Sequence, residues 1–190
     1  MLPSRVTRSE RPLFRASAAA RPLHVVLVEP EIPPNTGSVA RLCAATGCPL
    51  HLAGAIGFRM DAHAVRRAGL DYWPLVELHQ HRTFDETEAN IRAARPLGAR
   101  APRSFLFTGH AERSYLDADF QLGDVLVFGR ESVGLPEALL VARSADTLGI
   151  PMLGAVRSLN LANAVAIAVY EALRKLGLLA LAKSAPLSAP

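Results

Sequence analysis

The feature that most restricts the fold of this chain is a series of short, continuous apolar runs. Residues 24–28 (HVVLV) and 124–128 (DVLVF) are rich in β-branched side chains and show no alternation of polar and apolar positions. Such runs are typical of strands buried on both faces, which occur mostly in parallel sheets covered by helices. Segments with helical periodicity separate the runs. We therefore predict an α/β fold with a mostly parallel sheet and helices on both faces.

Other apolar segments complete the expected alternation of strands and helices. The further predicted strands cover residues 49–53, 75–78, 104–108 and 147–150. The predicted helices before the C-terminal one cover residues 36–46, 62–68, 85–94 and 136–144. Asn35 is expected to cap the first of these helices, because asparagine accepts hydrogen bonds from exposed N–H groups at helix starts.

The last predicted helix is the longest and follows a polar corner. Ser158 and Asn160 are good N-cap residues, and Gly177 suits the position after the helix end. Apolar residues recur at helical spacing at Leu161, Val165, Val169, Leu173 and Leu176. This stripe could serve either the core or a dimer interface, and the pattern alone does not separate the two.

Composition indicates one globular domain with a basic extension. The chain has 190 residues, half of them hydrophobic, and no apolar run of membrane-spanning length. Residues 1–23 contain five arginines and one glutamate, a net charge of +4, and the whole chain also carries +4. The remainder is therefore neutral, so nucleic-acid binding must depend on local patches. We expect a disordered extension over residues 1–23, a domain over 24–178 and a flexible tail over 179–190.

Three polar clusters follow predicted strands and are the candidate site. They are residues 35–41 (NTGSVAR), 128–136 (FGRESVGLP) and 150–163 (IPMLGAVRSLNLAN). The crevice beyond the carboxyl ends of parallel strands is the usual ligand site of open α/β sheets. Taken singly, the clusters also fit a capped helix, a solvated Arg41 and an ordinary strand-to-helix loop. No dinucleotide-binding glycine motif and no phosphate-binding P-loop motif is present.

Two further groups of side chains have alternative interpretations. Arg59, Arg66 and Arg67 lie near Tyr72 and Trp73, a combination that suits phosphate contacts and base stacking, or equally a solvent-exposed face with an aromatic anchor. The pair at His79 and His81 has no third metal ligand nearby, so we expect a solvated loop there and no metal site. The two cysteines, Cys43 and Cys48, are expected to be reduced thiols in or near the core.

Together, the three clusters resemble the motifs of the SpoU branch of the SPOUT (α/β-knot) RNA 2′-O-methyltransferases. The segments EPEIPPNTG and GFRMDAHAVRRAGLDYW are similar to those of family members that act on the wobble nucleotide of tRNA. The resemblance extends over about residues 24–177. It implies a deep C-terminal trefoil knot, an obligate homodimer and S-adenosylmethionine as methyl donor, none of which the strand pattern could predict.

The resemblance also implies roles for particular residues. Cofactor contacts are expected at Phe107, Thr108, Gly129, Ile150, Ser158 and Leu159. Catalytic roles are expected at Arg41, Asn35, Glu131, Ser158 and Asn160. RNA phosphates are expected at Arg59, Arg66 and Arg67. This chain departs from the family pattern in having Ala162 where serine is common and in a slightly compact loop over residues 153–156.

The implied activity is 2′-O-methylation of a cytidine or modified uridine at the wobble position of leucine tRNAs, in the cytoplasm and without a metal. One alternative is methylation at another position of tRNA or ribosomal RNA. A second is a knot protein that binds RNA without catalysis, although the complete set of polar residues argues against it. A generic nucleotide-binding α/β domain would have no tight affinity for S-adenosylmethionine.

Overall fold

A computed structural model describes residues 21–58 and 72–180 of the chain. Its sheet has six strands in the order β3-β2-β1-β5-β4-β6, and every strand pair is parallel. The strands are β1 (His24–Val28), β2 (Leu50–Ala53), β3 (Leu78–His81), β4 (Ser104–Phe107), β5 (Val125–Phe128) and β6 (Thr147–Leu148). The helices described are α1 (Pro33–Thr46), α2 (Phe84–Ala93), α3 (Glu137–Ala142) and α4 (Leu161–Lys175).

The apolar runs pack on both faces of the sheet, as predicted. Val25 and Leu27 belong to the core that α1 and α4 cover, whereas Val26 and Val28 belong to the core under α2 and α3. Side chains that alternate along a strand point to opposite faces, so a strand covered on both sides must be apolar throughout. This arrangement confirms the α/β prediction. Within the described ranges, no helix combines the length and the apolarity that a membrane crossing requires.

The stripe on α4 belongs to the core. Leu161, Val165, Val169 and Leu173 are between 0 % and 9 % exposed and pack in the same cluster as α1. The helix also contacts α1 directly. The ambiguity between core and dimer interface is therefore resolved for these four positions. The helix ends as expected, with Gly177 in the left-handed region at φ 71°.

The predicted position of the third strand, residues 75–78, is wrong. Residues Trp73–Leu75 form a 3₁₀ turn, and the strand is Leu78–His81. This strand lies at the sheet edge and is only partly covered, with an intermediate–exposed–exposed–intermediate burial pattern. A partly covered edge strand needs no continuous apolar run, so its polar sequence does not mark where the strand begins and ends. His79 and His81 therefore lie in a strand and not in the expected solvated loop.

The predicted start of the first helix is also corrected, and the residues just before β1 make contacts of their own. Ile32 is the N-cap of α1, and the helix starts at Pro33, so Asn35 lies inside the first turn and caps nothing. Proline at the first helical positions has its φ preset for a helix, which explains the earlier start. At the N-terminus, Leu23 is fully buried, and the Pro22 carbonyl accepts a hydrogen bond from Gly123 N at 2.8 Å. Residues 22 and 23 thus contact the folded part of the chain.

A row of histidines crosses β1, β2 and β3 on the face under α2. His24 Nδ1 lies 3.0 Å from His51 Nε2, and His51 Nδ1 lies 3.1 Å from His81 Nε2. Asn90 Nδ2, on α2, lies 3.2 Å from His81 Nδ1. Burial disfavours the charged imidazolium and lowers the pKa of His51 to about 2, and neighbouring His24 adds repulsion. Burial and the charge of Arg21 lower the pKa of His24 to about 4.

We predict that these histidines make the protein acid-sensitive. Both folded-state pKa values lie below the ordinary value of about 6.5, so below that pH the unfolded chain binds protons that the folded chain does not. The free energy of unfolding should fall by about 1.4 kcal/mol per histidine for each pH unit between about 6 and 4. Urea denaturation at several pH values measures this slope.

The matched variant is His51→Gln, which keeps a hydrogen-bonding side chain but cannot titrate in this range. Its unfolding free energy should depend less steeply on pH than that of the wild type. Equal slopes for the two proteins would contradict the prediction.

Candidate active site

The candidate site is built around the carboxylate of Glu131, in the loop after β5. Its oxygens accept hydrogen bonds from Glu31 N at 2.9 Å, Ile32 N at 3.2 Å and Asn35 Nδ2 at 3.0 Å. Burial alone would raise the pKa of Glu131, but these hydrogen bonds outweigh burial, so its pKa lies below its ordinary value. The side chain is therefore an ionised acceptor at neutral pH, and it joins the loop after β5 to the start of α1.

Asn35 extends this contact to the third cluster. Its Oδ1 accepts a hydrogen bond from Asn160 Nδ2 at 3.0 Å. Asn160 Oδ1 in turn accepts from Ala162 N at 2.9 Å and Asn163 N at 3.3 Å, which makes Asn160 the N-cap of α4. A carboxylate can only accept, so Glu131 determines the orientation of both amides in turn. The structure thus brings three of the predicted residues, Asn35, Glu131 and Asn160, into one hydrogen-bonded series.

A second set of contacts ties the same two loops and was not predicted from the sequence. Arg130 Nε donates to Glu29 Oε2 at 2.8 Å, and Ser132 N donates to Glu31 Oε2 at 3.1 Å. Glu29 lies just beyond β1 at φ 49°, and its neighbour strand β5 ends beside it. The available signal was the charge pattern: EPE after one strand and GRE after another place opposite charges at adjacent strand ends.

Gly129 has a local structural reason to be glycine. A Cβ there would lie 2.1 Å from the carbonyl carbon of Gly134, a distance that no side chain tolerates. Arg130 and Gly134 exchange hydrogen bonds across this tight turn, N to O at 3.1 Å and 2.9 Å. The turn leaves Glu131 at its tip, facing Asn35. Close packing thus accounts for Gly129, and its predicted cofactor contact stays a prediction.

Arg41 lies apart from the hydrogen-bonded series. It is exposed on α1, and within the described residues it makes no hydrogen bond to Glu131, Asn35 or Asn160. Its guanidinium carbon lies 4.9 Å from the centroid of the Tyr72 ring. The arginine therefore has an aromatic support and a separate position from the polar series.

The residues expected to hold a cofactor come from three neighbouring loops. Thr108 N, after β4, donates to Leu148 O at 3.0 Å, and Tyr115 N donates to Gly149 O at 3.0 Å. These bonds join the segment after β4 to the end of β6 and to the residue that follows it. The Phe107 ring is buried and stacks on Phe128 at 4.7 Å between centroids.

The same loops leave hydrogen-bond donors unused. In the described part of the chain, the backbone N–H groups of Ile150, Ser158 and Leu159 have no hydrogen-bond partner. Ser158 is exposed, and Leu159 is 36 % exposed. Ile150 follows β6, whereas Ser158 and Leu159 directly precede the N-cap of α4. Main-chain donors of this kind bind the acceptor atoms of a purine ring or a carboxylate. The residues present therefore fit a nucleoside cofactor.

Other predictions concern arginines and metals. Arg59, Arg66 and Arg67 lie outside the described residues, so their predicted RNA contacts stay predictions. Among residues 21–58 and 72–180, no group of three or more histidine, cysteine or acidic side chains is placed to hold a metal. Cys43 and Cys48 are free and buried, as expected, and burial raises the pKa of both thiols.

Comparisons with known proteins identify the family of this chain. Residues 22–170 match the model of the SpoU rRNA Methylase family. A tRNA (cytidine(34)-2′-O)-methyltransferase of Acidovorax sp. strain JS42 is 49 % identical over 153 residues, which are 80 % of this chain and 91 % of that protein.

Two solved structures have the same fold. One, from work on the 2-OH methylation of C/U34 on tRNA, is 51 % identical with a TM-score of 0.71 and covers 82 % of this chain and 96 % of its own. The second is the SpoU methyltransferase AviRb of Streptomyces viridochromogenes in complex with AdoMet, which is 28 % identical with a TM-score of 0.70. That match covers 84 % of this chain and 62 % of AviRb.

We predict that the substitution Glu131→Gln loosens the junction between the three clusters. The amide keeps the size of the side chain but loses the charge and turns an N–H₂ group toward donors. The free energy of unfolding should fall by about 1–3 kcal/mol, measured by urea denaturation at pH 7. Glu112→Gln is the control, because Glu112 is exposed and makes no hydrogen bond within the described residues. Equal unfolding midpoints for the two variants would show that the junction adds no stability.

Proposed function

Because this chain belongs to the SpoU rRNA methylase family, we propose that it methylates the ribose 2′-hydroxyl of the wobble nucleotide, position 34, of tRNA. The relative from Acidovorax, named for this reaction on cytidine 34, supports the proposal because the similarity extends over most of both chains. The finer proposal is that cytidine and modified uridine in leucine tRNAs are substrates and that the reaction occurs in the cytoplasm.

The observation that carries the proposal is the series Glu131–Asn35–Asn160. The series contains one residue from each polar cluster. The hydrogen bond between Asn35 and Glu131 spans 96 positions of the chain, and the bond between Asn35 and Asn160 spans 125. A polar series of this kind is costly to assemble at the ends of buried strands, unless it serves a ligand or a reaction. Its place beyond the carboxyl ends of parallel strands is the usual substrate crevice of such sheets.

The proposed methyl donor is S-adenosylmethionine, which supplies an electrophilic methyl group on a sulfonium when it is bound. The free main-chain donors at Ile150, Ser158 and Leu159, with Thr108 and Gly129 nearby in the fold, would hold it. The structure of AviRb with AdoMet supports this choice of cofactor. We also propose the deep knot of this family, which would bring the segment after β4 beside Gly149, where the two are hydrogen-bonded.

In the proposed mechanism, Arg41 acts on the target nucleotide. A guanidinium keeps its proton at physiological pH, so it is a poor general base. Arg41 instead binds the phosphate of the target nucleotide and stabilises negative charge as it develops on the 2′-oxygen. The proton of the 2′-hydroxyl passes to that phosphate as the methyl group is transferred. The hydroxyl of Ser158, which is exposed in the loop before α4, orients the ribose. Glu131, Asn35 and Asn160 hold the loops in place so that donor and hydroxyl meet in line.

A homodimer is part of the proposal. The α4 side chains left outside the core include Ile167, 38 % exposed, and Tyr170, 48 % exposed, and the loop before α4 exposes Leu153 and Val156. Exposed apolar groups of this kind suit a protein interface. Sedimentation equilibrium should give twice the 20.3 kDa mass of one chain, and a monomer at micromolar concentration would contradict this.

The first test is methyl transfer from labelled S-adenosylmethionine to total tRNA, followed by mapping of the modified nucleotide. The wild type should modify the 2′-oxygen of nucleotide 34. Arg41→Ala should lower the rate by roughly 10²–10³-fold, because it removes a charge that acts on the transition state. Arg82→Ala is the matched control, since Arg82 is an exposed arginine on another loop. Cofactor affinity, measured by calorimetry, should be unchanged in both variants.

Each other outcome has a defined meaning. Modification at a different nucleotide would overturn the wobble assignment and leave a related 2′-O-methyltransferase. Cofactor binding without transfer to any RNA would favour a non-catalytic RNA-binding protein. Absence of cofactor binding would overturn the proposed chemistry altogether.

The arginines before Tyr72 are proposed to bind tRNA phosphates. Replacing Arg66 and Arg67 together by glutamine should weaken tRNA binding and make its logarithmic salt dependence shallower by about one for each lost contact. The control replaces Arg92 and Arg95, which are exposed at the end of α2, on the face of the sheet away from α1. Filter binding over a range of salt concentrations measures both effects, and equal slopes for the two double variants would contradict the proposal.

A further inference from the structure

Arg41 lacks the support that usually orients a functional arginine. It is exposed, and no carboxylate of the described residues forms an ion pair with it. An arginine side chain has many rotamers, and ordering it for a reaction costs entropy. A group that must meet both a phosphate and a reacting oxygen needs a defined orientation before substrate arrives. Something other than a salt bridge must provide it.

Tyr72 is placed to provide this orientation. Its ring lies under the guanidinium, with 4.9 Å between the Arg41 guanidinium carbon and the ring centroid, which is within the range of a cation–π contact. Its hydroxyl donates a hydrogen bond to the carbonyl of Gly37 at 2.9 Å. Gly37 and Arg41 are four residues apart on α1 and thus share one face of the helix.

These two contacts act on the same helix turn from one side chain. The hydrogen bond to Gly37 anchors one end of Tyr72 to the backbone of α1, so the ring cannot move independently of the helix. The ring itself is half-buried and packs against the core under α1 and α4. The aromatic face under the guanidinium is therefore rigid, and its position is fixed relative to the helix that carries Arg41.

We propose that Tyr72 is a positioning residue for Arg41, whose aromatic face holds the guanidinium in the orientation that meets the target nucleotide. The proposal rests on the proposed role of Arg41 in methyl transfer. It gives Tyr72 a role in turnover without any contact to the reacting atoms. It also explains how an exposed arginine without a carboxylate partner can be preorganised.

The test compares wild type, Tyr72→Leu and Tyr72→Phe, alone and in combination with Arg41→Ala. Tyr72→Leu should lower the rate of methyl transfer by roughly 10-fold or more, because the guanidinium loses its orientation. Tyr72→Phe keeps the aromatic face and should lose less than the leucine variant. In the Arg41→Ala background, Tyr72→Leu should add less than a twofold loss, since a residue that acts through Arg41 has nothing left to position.

A purely structural role gives a different pattern. Tyr72→Leu would then reduce activity by the same factor with and without Arg41, and that additivity would overturn the proposal. Cofactor affinity and the unfolding midpoint, measured on each variant, identify a folding defect. If the leucine variant is misfolded, the phenylalanine variant carries the test, and a loss that is equal in both Arg41 backgrounds would again overturn it.

One measurement does not depend on activity. The Nε–H resonance of Arg41 should be shifted by the ring current of Tyr72 in the wild type, and Tyr72→Leu should remove that shift. A wild type that transfers no methyl group but shows this shift would overturn the proposed function while supporting the pairing of Tyr72 with Arg41. An Arg41 resonance that is unchanged by Tyr72→Leu would overturn the positioning role itself.

Discussion

The site depends on one carboxylate that receives hydrogen bonds from a neighbouring loop. Strands β1 and β5 are adjacent and in register, with Leu27 opposite Phe128, so the loops that follow them emerge side by side. Glu131 bridges this gap by accepting from Glu31 N and Ile32 N. The carboxylate therefore satisfies the N–H group of Ile32, the N-cap of α1, and locates the loop after β5 through the same side chain.

The ionised carboxylate also fixes the orientation of the two amide side chains that follow it in the hydrogen-bonded series. Because the ionised Glu131 can only accept, the amide group of Asn35 must turn its nitrogen toward it and its oxygen toward Asn160. Asn160 must in turn donate to Asn35 and use its own oxygen to cap α4. The apolar stripe of α4 holds that helix in the core, so the polar series is supported from beneath by packing.

The cationic part of the site has a different support. Arg41 projects from the exposed side of α1 and rests on Tyr72, a side chain that lies 31 positions further along the chain. Polar loops that need exact hydrogen bonds are thus held by buried strands, whereas the group that would meet RNA stands at the surface. This division suits a protein that acts on a large polyanion, because the substrate must reach the positive charge at the surface.

Much of this arrangement could be predicted from local pattern. Continuous apolar runs such as residues 24–28 and 124–128 identified strands covered on both faces, and the spacing of Val165 and Val169 identified a helix with a buried side. The sequence also predicted that the three polar clusters lie together, because the carboxyl ends of parallel strands meet at one edge of the sheet. These features depend on residues that are neighbours in sequence, where periodicity reports burial directly.

Only the tertiary structure decided the rest. The role of Asn35 as a link and not a cap, the pairing of Arg130 with Glu29, and the histidine row all depend on residues that are far apart in the chain. The edge strand Leu78–His81 was predicted three residues too early for a related reason, since partial cover leaves no apolar run to mark its bounds. Local pattern determined what is buried, and the meeting of distant strand ends determined which polar groups bind one another.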